Sequence, residues 1–279
     1  MTIGRKIRQN LSQTILYVLL IASSLMAVGP VSWVWMTSLK SNKEIRGGAL
    51  SLPTQLRLEN YAEAWRVGRF SVGFSNSAIV GAGAVVIVLV VGSLAAYAFA
   101  RMRFKGSSLL FYAFYAGMTV PVAARVVPML SMMYKLNLVD TKLGLILAYA
   151  AGNLPFSILM MRSFFRQFPQ ELEDAAEIDG CSHLQFFRRV LLPLSTPSLS
   201  VLGILTFMNC WNELYLALIL INSSLARTLP LGLIAFQGKH YVNYALSIAG
   251  TTIAAFPVVI VYVLFQKNFI EGMTAGSVK

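Results

Sequence analysis

The sequence predicts an all-α, polytopic membrane protein with six transmembrane helices and both termini in the cytoplasm. Three observations carry this expectation. Of 279 residues, 57% are apolar and only 12% charged, at a mean hydropathy of +0.67, outside the usual soluble range. Six stretches, roughly Ile15–Met36, Ser75–Ala100, Leu109–Met133, Leu143–Met161, Leu199–Ile221 and Ala245–Phe265, reach a spanning length. That length is about 20 mainly apolar residues, enough at 1.5 Å rise to cross a ~30 Å hydrocarbon core. The runs are continuously apolar, whereas barrel strands alternate apolar and polar over about ten residues.

The chain divides into a cytoplasmic N-terminus (1–14), a six-helix transmembrane domain (15–266) and a cytoplasmic tail (267–279). Arg5, Lys6 and Arg8 precede the first span, and Arg101, Arg103 and Lys105 fill the short turn after the second. Basic residues in short loops mark the cytoplasmic side. The first span has a basic start like a secretory signal, but its apolar run continues through Trp33 and Trp35, as an uncleaved span does. The net charge of +12 sits in clusters beside apolar spans, so it reads as topology and not as a nucleic-acid surface.

The external connection, 37–74, carries Leu58-Glu59-Asn60-Tyr61-Ala62-Glu63-Ala64-Trp65 at helical spacing, a solvated cap with interfacial aromatics. In the second span Gly81, Gly83 and Gly92 with neighbouring alanines permit close helix approach. Pro121 and Pro128 interrupt the third, with Arg125 between them. An intramembrane cation is costly, so Arg125 either snorkels to the outer headgroups, the preferred reading, or lines a wet cavity.

The cytoplasmic loop, 163–197, holds the strongest anomaly: five of the chain's eleven acidic residues fall within Glu171–Asp179. Pro169 and the acids after it suit a helix start. Leu172, Ala175, Ala176 and Asp179 share one narrow face, and Glu171, Glu173, Asp174 and Glu177 form an acidic rim. Gly180 ends the helix, and Ser182-His183-Leu184-Gln185 is a capping box for a second. The anionic inner leaflet would repel these acids, so the loop calls for a protein partner with a basic groove.

Glu171-Leu172-Glu173-Asp174-Ala175-Ala176-Glu177-Ile178-Asp179-Gly180, followed by Val190-Leu191-Leu192-Pro193-Leu194-Ser195-Thr196-Pro197, resembles the EAA loop of ABC importer permeases, between helices 4 and 5. Similarity to the carbohydrate branch, in particular the maltose-type second permease, extends to Glu59-Asn60-Tyr61, Trp211-Asn212-Glu213, Thr228-Leu229-Pro230-Leu231-Gly232-Leu233 and Gly272–Lys279. The resemblance implies that the loop forms coupling helices docking a separate ATPase through Glu173, Asp174, Ala175, Ala176, Asp179 and Gly180. Asp174 stands where the family usually has Glu. It also implies that Thr274, Ala275, Gly276 and Ser277 enter the cleft between two ATPase subunits. The implied partners are a second homologous permease, two ATPase subunits, an extracytoplasmic binding protein and membrane lipid. The chain itself binds no cofactor; ATP and Mg belong to the ATPases. The implied function is a sugar or oligosaccharide permease working by alternating access, with a non-sugar importer, such as one for glycerophosphodiesters, as the alternative.

Polar groups in lipid need a partner helix or a wet path, which singles out Asn153, Asn209, Asn212 and Glu213. Asn209 and Glu213, four apart on one helix with Trp211 and Tyr215 close by, suit sugar hydroxyls and ring faces, and with Asn153 and Arg125 make a candidate substrate path. Interhelical hydrogen bonding competes with that reading, most strongly for Asn153 and Asn209. No phosphate-loop motif is present: Gly238-Lys239-His240 lacks the earlier Gly and the hydroxyl. Neither His183 nor His240 has metal-type spacing, and Cys181 and Cys210 predict no disulfide. A stand-alone channel or secondary transporter leaves the acidic loop unexplained and has no convincing internal repeat to support it.

Overall fold

The computed structural model describes residues 3–48, 50–238 and 242–274, with side chains between residues 13 and 266. Within them no strand forms beyond an isolated bridge between Gln237 and Val242. The chain makes two compact units, one running up to Gly68 and including Leu233–Ala255, the other comprising Arg69–Gly232 and the residues from Phe256 onward.

In the first unit, α1 (Ile3–Ser38) continues through Pro30, Trp33 and Trp35. Its apolar window has no residue buried inside the chain, so its side chains need an apolar solvent. The following connection is sewn by side chains. In α2 (Asn42–Gly47), Ser41 and Glu44 form a reciprocal capping box, and Glu44 also accepts from the N–H and hydroxyl of Thr54. Those donors, the Thr54 hydroxyl first, hold the Glu44 carboxyl down at about 2. In α3 (Glu59–Val67), the helix expected from the spacing, buried Asn60 donates to Ser38 O (2.8 Å) and Lys40 O (3.0 Å), satisfying carbonyls left over at the end of α1. Asn42 donates to Asn243 Oδ1 (2.8 Å).

The second unit starts with α4 (Phe70–Ile87), a π turn at Val88–Gly92 and α5 (Ser93–Arg101), a continuous 32-residue rod. Close packing explains its glycines: a Cβ at Gly92 would strike Ser157 Oγ, and one at Gly81 would sit 3.0 Å from the Phe207 ring. Helix α6 (Ser107–Thr119) bends by 108° into α7 (Val122–Lys135) at Val120–Pro121. Here the expectation needs correction: only Pro121 interrupts, while Pro128 lies inside α7 without ending it. Helix α8 (Lys142–Phe165) is the core of the unit, burying Leu145, Tyr149, Ile158, Met161 and Phe165 while packing against α4, α5 and α12.

After α8 come α9 (Glu171–Ile178), α10 (His183–Phe186), a π turn at Phe187–Leu191 and α11 (Leu192–Leu194), which bend by 78° into α12 (Thr196–Asn212). The fifth apolar stretch is not one helix. The chain breaks at Glu213–Leu214 and resumes as α13 (Tyr215–Leu220). The cause is local: the Glu213 carboxylate accepts from the N–H groups of Leu216 (2.8 Å) and Ala217 (3.2 Å), capping a new helix. Helices α14 (Leu229–Leu233) and α15 (Tyr244–Thr274) complete the chain. Among the described residues, four helices or helix rods are long and apolar enough to cross a membrane, and the count reaches six when each bent pair is one span.

Candidate functional site

Two places gather the residues singled out from the sequence. The first is the acidic segment after α8. Helix α9 begins at Glu171, two residues beyond Pro169, and closes in a glycine motif: Cys181 N–H bonds Ala176 O and Gly180 N–H bonds Glu177 O, both at 2.9 Å. Gly180 has φ +79°, a conformation that L side chains rarely adopt, and open space around it, so backbone geometry and not crowding requires glycine. The capping box follows, Ser182 N–H donating to Gln185 Oε1 at 2.8 Å. Buried Phe186, Phe187 and Leu191 then anchor the second arm, with Phe187 against the rings of Tyr97 (5.1 Å) and Phe165 (6.3 Å).

One acidic residue departs from the expected rim. Glu173 is buried, its side chain 9% exposed, and faces Arg101 Nη1 at 3.7 Å, His183 Nδ1 at 3.6 Å and the Tyr97 hydroxyl at 3.5 Å. An isolated buried carboxylate is expensive, so these groups and Gln170 Nε2 (3.4 Å) account for its position. The exposed rim is therefore Glu171, Asp174, Glu177 and Asp179, beside exposed Ala175 and half-buried Ala176. Leu172, Ile178 and Leu184 are exposed apolar side chains on the same hairpin, Ile178 at 86%. Ile178 and Leu184 are not among the residues singled out above, although an apolar residue beside the glycine turn of a solvated loop is a readable signal.

Arg101, read from sequence only as a topology marker, is a buried hub. Its Nη2 donates to Phe165 O (2.8 Å) and Phe168 O (2.6 Å) and its Nη1 to Gln170 Oε1 (3.0 Å). A guanidinium fits the freed carbonyls at the end of α8 by both charge and geometry.

The second place is a cavity of about 370 Å³ walled by α7, α8, α12 and the break at Glu213. Arg125, Asn153, Asn209 and Glu213 line it with Tyr149, Met129, Met132 and Met133. Asn209 donates to Asn153 Oδ1 (3.2 Å), and Asn153 donates to Tyr149 O (2.9 Å), so both amides already serve helix packing. The Tyr149 hydroxyl donates to Glu213 Oε2 (2.7 Å). Arg125 Nε is buried without a hydrogen-bond partner among the described residues. Trp211, Asn212 and Tyr215 are not on this wall: Trp211 is buried against Phe74 and Phe207, Asn212 donates to Met208 O, and Tyr215 is exposed on α13. Tyr149 was legible, being four residues before Asn153 on one helix face. Cys210 is a buried free thiol on the wall, and Cys181 is a free thiol at the hairpin turn. Of the tail residues, Thr274 ends α15, while Ala275, Gly276 and Ser277 lie outside the described residues, as do Lys239 and His240.

Comparison with known proteins gives three kinds of likeness. The family model described as binding-protein-dependent transport system inner membrane component matches residues 48–274. The diacetylchitobiose uptake system permease protein NgcG of Streptomyces coelicolor is 34% identical over 263 residues, covering 94% of this chain and 87% of that protein. The trehalose transport system permease protein SugB of Mycobacterium tuberculosis is 35% identical over 255 residues, covering 91% and 93%. A solved bacterial ABC transporter involved in import of the acidic polysaccharide alginate has a chain of the same fold, with TM-score 0.77, 24% identity and coverage of 93% and 97%.

Proposed function

Because this chain belongs to the binding-protein-dependent transport system inner membrane component family, we propose that it is the sugar- or oligosaccharide-conducting permease of an ATP-driven importer. The observation that carries the mechanism is the α9–α10 hairpin. It presents acids and apolar side chains together outside the chain, around a backbone turn that only glycine fits well. Acidic groups suit a basic groove, and apolar tips suit a protein partner better than water. The hairpin docks an ATPase subunit through Asp174, Ala175, Ala176, Asp179 and Gly180, with Glu173 holding it from behind.

In this reading each bent pair crosses as one of six spans, and both termini are cytoplasmic. A second, homologous permease completes the path. Two ATPase subunits bind ATP and Mg, and Thr274–Ser277 reach the cleft between them. A loaded extracytoplasmic binding protein triggers closure of the ATPases, the hairpins follow, and the permeases tilt from inward-facing to outward-facing. The cavity sets Arg125, Asn153 and Asn209 beside a methionine wall, a mixture suited to a polyhydroxylated ring. Asn212, Trp211 and Tyr215 belong to the path only if the partner permease or another state of the cycle brings them to it.

Gly180→Pro tests the docking assignment, because proline fixes φ near −65° where the chain needs +79°. The expected result is membrane insertion with loss of ATP-coupled uptake; normal coupled uptake sinks the assignment. Calorimetric titration of the cognate binding protein with di- and oligosaccharides, and with glycerophosphodiesters in parallel, tests the substrate class. Binding of the glycerophosphodiesters alone overturns the sugar reading.

A further inference from the structure

The hairpin is joined to the membrane helices in two ways. One is covalent, through α8 before it and α12 after it. The other is a contact across 72 residues of sequence, in which Arg101 at the last turn of α5 meets Glu173 on α9. We propose that the Arg101–Glu173 pair is a positioning element of transport: it locks the hairpin to the end of the α4–α5 rod, so that displacement of the hairpin is passed directly into the second span. This rests on the reading of the hairpin as the ATPase-docking element.

Four observations support a lock over an incidental surface pair. Both side chains are buried, at 6% and 9% exposure, so neither charge is dissipated in water. Arg101 grips both sides of the hinge between α8 and α9: Phe165 O and Phe168 O before it, Gln170 and Glu173 at its far side. Glu173 receives reinforcement from the second arm through His183 Nδ1, so one carboxylate touches both arms of the hairpin and the rod. The apolar layer beneath repeats the connection, since the ring of Tyr97, on α5, packs against Phe187 and its hydroxyl points at Glu173. Two charges that cannot separate without exposing or orphaning each other make a stiff joint, and a stiff joint transmits movement where a flexible loop absorbs it.

The consequence is that the second span moves with the hairpin. The test uses the whole transporter, with partner permease, both ATPase subunits and binding protein, in lipid nanodiscs. Spin labels at Arg103→Cys and Leu184→Cys, both exposed positions, are introduced in a Cys181→Ser, Cys210→Ala background. Pulsed electron paramagnetic resonance then reads their separation without nucleotide and with ATP plus vanadate. The expected result is one narrow peak at the same separation in both states. In Glu173→Gln that identity is lost: the separation shifts or broadens in one nucleotide state and not in the other. Glu173→Asp, which keeps a carboxylate facing Arg101 and His183, retains the single peak in both states.

A wild-type separation that changes between the two states overturns the proposal. So does a Glu173→Gln profile unchanged in both states, or displaced equally in both, since a purely structural role has no nucleotide dependence. The docking reading is scored separately in the same preparations. Failure of the ATPase subunits to bind the hairpin, read by cross-linking from Leu184→Cys, removes that reading, while the comparison of Glu173 variants still decides whether the joint exists.

Discussion

Glu173 and Glu213 are two carboxylates withdrawn from water in opposite ways. Glu173 is held by side chains from other elements, Arg101 on α5 and His183 on α10. Glu213 is held by its own neighbourhood, the N–H groups of Leu216 and Ala217, with one added donor from Tyr149. A charge neutralised across elements fixes how those elements sit on one another. A charge neutralised by the next turn of chain fixes only where a helix starts. The first arrangement suits a joint and the second a helix break beside a cavity.

The sharpest way to break this comparison is to delete each carboxylate with an apolar isostere. Glu173→Leu leaves the Arg101 guanidinium buried and without its counter-charge, which costs about 3–5 kcal/mol. The expected outcome is a large drop in thermal unfolding temperature in detergent, partly recovered by pairing the change with Arg101→Leu. A loss below about 1 kcal/mol, as for an exposed ion pair, would show that the joint is no stronger than a surface contact.

Glu213 should respond to shape more than to charge. Glu213→Ala removes the acceptor for two N–H groups at the start of α13 and costs about 1–2 kcal/mol. Glu213→Gln keeps an amide oxygen for them, so the expected loss is roughly half or less. If the two variants lose stability equally in thermal melts, the carboxylate charge matters at this cavity and the contrast with Glu173 narrows.

The same contrast explains what the sequence made legible. Features written within about ten residues were readable: the α9 acids, the glycine turn at Gly180, the Ser182–Gln185 capping box and α3 at Glu59–Val67. Apolar run length located the long apolar helices, because a lipid core sets a minimum length for a crossing helix. Two further misreadings, beyond Pro128, have physical causes. Hydropathy is blind to a helix break made by a side chain that caps its own downstream turn, so 199–221 read as one span across Glu213. Glu173 read as part of the exposed rim because its partner, Arg101, comes from another element, and Arg101 itself carried a sufficient explanation as a topology signal. Of the candidate path, Arg125, Asn153, Asn209 and Glu213 converge because they sit on facing helices, while Trp211 turns the other way on α12 to pack against Phe207.

Asp140 offers the mildest test, because it repeats the Glu213 arrangement outside the spans, where pH can reach it. Its Oδ1 accepts from the N–H groups of Asn222 (2.9 Å) and Ser223 (2.8 Å), and its own N–H donates to Leu220 O (2.8 Å). The Ser223 N–H leads in holding the carboxyl below its ordinary 3.8. A lowered folded value means that the ionised group stabilises the fold fully above about pH 3.8 and that this contribution disappears as pH falls through the lower folded value. Asp140→Asn should therefore flatten the acid side of the stability profile while leaving the melting temperature at neutral pH only slightly reduced, since the amide oxygen can still accept both N–H groups. An unchanged acid profile would mean that the loop after α13 opens before Asp140 titrates, and that backbone-neutralised carboxylates in this chain hold less than their geometry suggests.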